Sequence, residues 1–486
     1  MGQSTGALTL DPTHGGFTLF PGGEQVGLCL YDGLLTYDAD MRLVPQLARA
    51  WTMSGDLRAC TLRLRPHVRF HDGTDCDATA VKLNLERLMN RQRNPTNRVL
   101  WDPLAAVEAP NADTIIIRTD TSYQQLPHAL AHASGAIVSP AAIASVGDTG
   151  IAAHPVGAGP YRLASFTPAE EVVLEAFPGY WGNRPPLATL RFRTIDDITL
   201  RLAALRQNSV QVVDGIPPAR AGDLQQDMAV EVNAVPGLRM TGFALNTARP
   251  ALADPRVRRA LNLAVSVPQI VDQVFFGYAR VPDSPLAPAA DGYAAVGQLT
   301  CDPAAATGLL AQAGFTAAKP LPLTLFAPAA RSAADTLLVD LVAGALRQVN
   351  IAVTVRRIAG GAYWDELRLA PAGLRWDLAL FGFQPDDVSG LHHLNALFRA
   401  NRDPEKVPDA WNIGHYRNPA LDRLLDAAAT ANPTSYASAM RAAQALIWHD
   451  APYLWLPIVD VISASRATVT GVDVSPTGTT LLRRAS

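Results

Sequence analysis

The stretch ACTLRLRPHVRF, residues 59–70, alternates apolar and polar side chains, and HDGTDCDATAVKLNLERLMN follows it at once with a helical repeat. A period of two that gives way to a period near 3.6 within one short segment excludes an all-helical or all-strand chain. Leu62, Leu64, Val68 and Phe70 form the inward set of a strand. Asp72-Gly73 supplies a turn, Asp75 or Asp77 caps a helix, and Val81, Leu85 and Leu88 mark that helix's apolar face. DPRVRRALNLAV starts another helix with Asp254 as cap and Pro255 at its first position. CDPAAATGLLAQAGF uses the same grammar, with Asp302, Pro303 and a stopping Gly314. AAHPVGAGPY, RVPDSPLAPAADGY and AAKPLP read as loops, and no internal repeat of fixed period is present. The fold class expected is mixed α/β.

A chain of 486 residues exceeds what one core serves, so two or three domains are expected. A net charge of −3 gives no reason to expect nucleic acid or an anionic membrane as partner. No run of eighteen apolar residues exists, so no transmembrane segment is expected. The opening MGQSTGALTLDPTHGG has neither a basic nor an apolar leader region, so the expectation is a cytoplasmic protein or one whose leader has been removed. Cys29, Cys60, Cys76 and Cys301 lack CxxC spacing, which argues against structural zinc and leaves disulfides and buried thiols both open.

Familiar catalytic signatures are missing: the sequence contains no GxSxG, no GxxxxGK[ST], no HExxH and no strand–GxGxxG–helix. His128 and His132 in PHALAH stand at i and i+4, the spacing that places two imidazoles on one helix face, but no third ligand accompanies them. FQPDDVSGLHH, residues 383–393, holds two adjacent carboxylates, Asp386 and Asp387, and two adjacent histidines, His392 and His393. Neighbouring residues point about 100° apart on a helix and to opposite faces on a strand, so neither pair converges on one ion. Nor do neighbours on one loop flank a sugar from opposite sides, as glycosidic chemistry requires. The segment follows the apolar strand LRWDLALFGF and precedes the helix GLHHLNALF. The carboxyl end of a strand is where α/β folds place ligands, and a solvated capping turn fits the local sequence equally well.

LYDGLLTYDADMRLVPQLARAWTMSGDLRACTLRLRPHVRFHDGTDCDATAVKLNLERL resembles the N-terminal signature of the extracellular solute-binding protein family 5, the peptide- and nickel-type receptors of ABC importers. HPVGAGPYRLASF is similar to that family's Gly-Thr-Gly-Pro-Tyr turn, with Ala158 in the threonine position. FPGYWGNRPPLATLRFRTIDD, FALNTARPALADPRVRRALNLAVSVPQIVDQVFFG, DPAAATGLLAQAGF and YRNPALDRLLDAA continue in family order over nearly the whole chain.

This resemblance implies a bilobed clamp of the type II periplasmic-binding-protein kind. Residues 1–34, 156–240 and 457–486 would make lobe I, 35–155 an inserted subdomain of it, and 241–456 lobe II. It implies a monomeric receptor, periplasmic or lipid-anchored at the cell surface, without cofactor, metal or covalent chemistry. Such a receptor captures a short peptide or peptide-like solute by hinge closure and delivers it to the ABC permease. Peptide-type members hold the backbone by strand-like hydrogen bonds and anchor the α-amino group on an aspartate. Here the corresponding Asp-Pro falls on Ser389-Gly390, which leaves Asp386 or Asp387 as the substitute anchor. Phe383, Gln384, Ser389 and His392 of the same segment, together with Phe17, Trp101, Trp411 and Tyr416, complete the ligand-binding set the resemblance implies. HDG (residues 71–73) and GYWG (residues 179–182) read as structural. Nickel-type members carry a histidine near AAATANPTSY, and none stands there. An opine, glutathione-like or metal-chelate ligand is the alternative within the binding class, and a metal-assisted hydrolase the alternative outside it.

Overall fold

The computed structural model describes residues 1–18, 21–38, 41–90, 98–329, 333–383, 388–403, 405–406, 408 and 411–486. The chain divides into two compact units, Met1–Val235 with Val461–Ser486, and Pro236–Asp460.

In the first unit, a four-stranded antiparallel sheet runs in the order Ala48–Met53, Ala59–Leu64, Thr114–Thr119, Leu104–Asn111. The helix Ala78–Met89 packs on it, and the Asp77 carboxylate accepts from the Ala80 amide at 3.0 Å to cap its first turn. Val81, Leu85 and Leu88 lie buried with Leu62, Leu64, Val68 and Phe70 in one apolar cluster, so the two sequence periods do meet in a common core. The strand itself ends at Leu64, earlier than the alternation suggests: Pro66 has no amide to give a ladder, and His67 then takes a positive φ of 60°. A second sheet is ordered Val230–Pro236, Ile458–Arg466, Val212–Val213, Gly2–Gln3, Thr189–Thr194, Glu171–Ala176, Tyr161–Thr167.

Two family-like motifs act as ties within this unit. The fully buried Asp32 carboxylate accepts from Gln46 Nε2 at 2.6 Å, Trp181 Nε1 at 2.7 Å and the Arg483 guanidinium at 2.7 Å. The YDG and GYWG segments are thereby joined through one carboxylate. His71 of the HDG turn accepts the Gly157 amide on Nδ1 at 3.2 Å and contacts the Gly159 carbonyl through Nε2 at 3.0 Å. Its ring stands edge-on to Phe177 at 5.0 Å.

The second unit is built on a five-stranded sheet ordered Ile351–Ile358, Leu321–Pro328, Leu378–Phe383, Met240–Leu245, Tyr453–Trp455. The first three strands are mutually parallel, and Met240–Leu245 runs antiparallel to both of its neighbours. One face of this sheet (Phe243, Leu245, Leu378, Leu380, Leu454) packs into an apolar core. That core also takes Val257 and Leu261 of the helix Pro255–Ala264, and Val339 and Val342 of the helix Ala333–Arg347. Asp254 caps Pro255–Ala264 by accepting from the Arg256 amide at 2.9 Å, and Asp302 caps Pro303–Gln312 through the Ala305 amide at 2.8 Å. No helix among the described residues is long and apolar enough to cross a membrane.

Candidate functional site

The opposite face of the second unit's sheet is aromatic, for a reason visible in its register. Phe381 pairs with Gly242, which pairs in turn with Trp455, while Phe383 pairs with Met240 and Ala244 with Tyr453. Because strand side chains alternate, these residues share one face, opposite the apolar core. Gly242 in the middle strand contributes no side chain, and a Cβ there would stand 2.8 Å from the Leu454 carbonyl oxygen. The result is a trough with Phe381 and Phe383 on one side and Tyr453 and Trp455 on the other. Leu397 and Phe398, from the helix Gly390–Phe398, complete the pocket lining.

The walls are pre-ordered by ring contacts. Trp455 stacks on Tyr453 at 5.6 Å and on Trp448 at 5.4 Å, and Phe398 meets Tyr453 edge-on at 5.5 Å. On the other wall, Phe381 stacks with Trp411 at 6.0 Å and meets Trp364 edge-on at 6.3 Å. The Arg368 guanidinium lies over Trp411 at 5.1 Å, a cation–π contact that holds a positive charge beside the aromatic wall. Trp364 and Trp411 remain 43% and 36% exposed, so this surface reaches solvent. Burial pushes the Tyr453 hydroxyl above the ordinary phenol range, and the group is a protonated donor at any physiological pH.

The segment that follows the strand Leu378–Phe383 is tied to a distant loop. Ser389 is buried, and its hydroxyl accepts the His392 amide at 3.3 Å as the cap of the helix Gly390–Phe398. The Asp291 amide donates to the Val388 carbonyl at 2.6 Å, and the Gly390 amide donates to the Asp291 carbonyl at 3.2 Å. A Cβ at residue 390 would sit 2.1 Å from that same Asp291 oxygen, so glycine is required where relatives are expected to have proline. The Tyr436 hydroxyl fixes the Asp291 side chain at 2.6 Å. Ser389-Gly390 therefore belongs to a backbone junction in which a proline would both clash and remove a donor.

The other residues singled out from sequence distribute unevenly. Phe383 lines the trough and stands edge-on to the buried His393 at 6.1 Å. The ring centroids of His392 and His393 lie 6.4 Å apart, and His392 is only partly covered. Trp411 is in the aromatic wall. Gln384, Asp386 and Asp387 lie outside the described residues. Phe17 is packed edge-on to Tyr31 at 6.4 Å inside the first unit, where a small pocket also touches it. Trp101 is buried with its indole N–H donated to Ser134 Oγ at 3.1 Å, and Tyr416 is buried with its hydroxyl donated to Asp450 at 2.7 Å. These three occupy core positions in their own units.

The paired-imidazole reading of PHALAH fails on local geometry, because the helix Leu126–Ala131 stops before His132, which is extended. His128 Nδ1 faces Tyr37 Oη at 3.0 Å, whereas His132 Nδ1 accepts the Ser134 amide at 3.1 Å. Among the described residues, no three His, Cys, Asp or Glu side chains gather as metal ligands. Tyr453, Trp455, Phe381, Gly242 and Arg368 were not singled out by sequence reasoning. For Phe381, Tyr453 and Trp455 the signal was the period-two aromatic pattern in LFGF and YLW, whereas Gly242 and Arg368 had none.

A sequence model of the bacterial extracellular solute-binding proteins, family 5, matches residues 42–404. The glutathione-binding protein GsiB of Escherichia coli K12 is 30% identical over 474 residues, 96% of this chain and 90% of that protein. GsiB of Pectobacterium atrosepticum is 30% identical over 473 residues, with the same coverage of 96% and 90%. Among solved structures, the ABC transporter substrate-binding protein CtaP of Listeria monocytogenes superposes with a TM-score of 0.86 at 20% identity, covering 99% of this chain and 98% of that one. Helicobacter pylori DppA in complex with the peptide STSA gives 0.77 at 22% identity, covering 99% and 96%. The fold is that of the type II periplasmic binding proteins, with mixed α/β sheets. With the family signature spanning most of its length, the chain belongs to the extracellular solute-binding protein family 5.

Proposed function

We propose that this protein is an extracytoplasmic receptor that captures a short peptide or peptide-like solute by hinge closure and passes it to the permease of an ABC importer. The observation that carries the reading is the aromatic trough ending at Phe383, in a chain 30% identical to glutathione-binding proteins over 96% of its length. An apolar face with few, well-placed polar groups is the composition of a small-molecule site. Arg368, held over Trp411, offers a positive charge for a solute carboxylate. Within this class a glutathione-like tripeptide is the favoured solute, because the relatives at 30% identity bear that name. Recognition of a free α-amine depends on Asp386 or Asp387, since Ser389 is committed to capping a helix. Binding and release account for this activity, with no covalent step.

A thermal-shift screen over reduced and oxidised glutathione and over di- to pentapeptides tests the proposal. A true solute at about 100 times its Kd adds roughly 2.7 kcal/mol of stability. Failure of every peptide and both glutathiones to raise the melting temperature, with a clear response to an opine or a metal chelate, overturns it.

A further inference from the structure

The turn that carries Trp411 also carries a histidine that the binding reading leaves unused. His415 is 6% exposed and takes a positive φ of 53°, a conformation uncommon outside glycine. Its ring joins three segments of the second unit. Nε2 donates to the Leu369 carbonyl at 3.2 Å, and Nδ1 accepts from the Asn401 side-chain amide at 3.3 Å. Both bonds require the neutral ring with its hydrogen on Nε2. The turn itself is fixed, because the Gly414 carbonyl accepts from the Thr247 amide and hydroxyl at 2.9 Å each. A Cβ at residue 414 would stand 2.5 Å from the Leu245 carbonyl oxygen, so the turn lies hard against that strand. Trp411 is held in the same turn by the Ile413 amide, which donates to its carbonyl at 2.8 Å, and its own amide donates to the Ala396 carbonyl at 2.9 Å. Arg368 is exposed, one residue past the helix Gly360–Leu367, and the His415–Leu369 bond ties its neighbour to the Trp411 turn.

A proton on Nδ1 would set donor against donor at Asn401 and place a charge in a buried site. Burial accordingly holds the His415 pKa below the ordinary 6.5, with the Leu369 carbonyl and the Glu405 carboxylate opposing. Other charged or titratable groups on the adjoining segments are engaged elsewhere. Arg399 pairs with Asp426 at 2.6 Å, Lys406 with Asp403 at 3.1 Å and Arg249 with Asp377 at 2.8 Å, and the Tyr416 hydroxyl donates to Asp450 at 2.7 Å.

We infer that His415 is a positioning residue for solute binding: its neutral ring keeps Arg368 over Trp411 to receive a solute carboxylate, and protonation of the ring in acid loosens that pair and weakens the solute's hold. The inference rests on the reading of Arg368 as a carboxylate partner and adds its control by pH. Because Gly414 anchors the turn, the bonds to Leu369 and Asn401 are the ones that give way, and Arg368 moves with Leu369. The sign follows from linkage. The complex favours the neutral ring, so it holds fewer protons than the free protein, and affinity falls as pH falls below the ordinary histidine range.

Isothermal titration calorimetry on the full chain from pH 7.5 to pH 5.0, with reduced glutathione and Ala-Leu-Ala as probes and folding checked by circular dichroism at each pH, tests this. Wild-type affinity is expected to stay level down to about pH 6.5 and to fall by about threefold or more by pH 5.0. Binding enthalpies in buffers of different ionisation heat should show protons released on binding in the acid range. His415→Gln can still donate to the Leu369 carbonyl but does not titrate, and its profile is expected to be flat. Asn401→Asp sets a carboxylate beside Nδ1, which favours the protonated ring, so the fall is expected to begin about one pH unit higher than in the wild type. A flat wild-type profile, an equal fall in His415→Gln, or an unmoved midpoint in Asn401→Asp refutes the role of His415 and leaves the receptor reading intact. If neither probe binds the wild-type chain at any pH, the peptide reading falls and this inference with it.

Discussion

Replacing Asp32 with alanine is expected to lower stability by about 3–5 kcal/mol, the scale for breaking a buried ion pair from one side. The carboxylate is fully buried, and its loss would strand the Gln46 amide, the Trp181 indole N–H and one arm of the Arg483 guanidinium. Arg483 also donates to the Leu28 carbonyl and, at 2.5 Å, to the Tyr31 carbonyl, so it cannot swing away to water without giving up both. A surface pair supplies the internal control. Arg162 and Glu175 meet at 2.7 Å but are 44% and 45% exposed, so removing Glu175 is expected to cost no more than about 1 kcal/mol. Urea midpoints of the two variants check this, and equal small shifts would contradict the role given to the Asp32 tie.

His71 is expected to make the protein acid-labile at a pH where its carboxylates are still ionised. Burial lowers its pKa from the ordinary 6.5 to about 4, with the contact to the Gly159 carbonyl opposing the shift. The folded chain thus holds fewer protons than the unfolded chain between those values. The stability tied to the neutral ring is complete above pH 6.5 and is lost as pH falls toward 4. A shift of this size corresponds to about 3 kcal/mol. The neutral ring is required because Nδ1 accepts the Gly157 amide, which a protonated imidazole cannot do. Urea midpoints of the wild type and of His71→Gln, compared from pH 7 to pH 4, read the effect directly. The wild type should lose about 3 kcal/mol more than the variant over that range, and parallel profiles would refute the assignment.

The fold's local grammar was legible from sequence because it is a matter of neighbouring residues. Asp77, Asp254 and Asp302 cap the helices their positions announce, each accepting an amide two or three residues on. PHALAH does not hold its two imidazoles on one helix face, for an equally local reason. His132 accepts the Ser134 amide to start a separate short turn, and that contact ends the helix before the second imidazole. Candidate binding aromatics divided by long-range packing, which no local pattern reports. Phe383 and Trp411 reach the trough, whereas Trp101 and Tyr416 are held inside by Ser134 and Asp450. The trough as a whole was not legible, since it exists only where sheet register sets Phe381, Gly242 and Trp455 side by side from three distant segments. The SG dipeptide was legible as a departure from the family pattern, and its cause appears only with Asp291 packed against Gly390.

The central claim, capture of a peptide-like solute, is tested most directly by native mass spectrometry of the purified full chain. The chain is measured as isolated and again after unfolding, dialysis and refolding in the presence of glutathione and short peptides. The account predicts a one-to-one noncovalent complex with an organic solute of peptide or glutathione-like mass. The bare chain mass under every condition, or a stoichiometric metal ion with no organic solute, would contradict it.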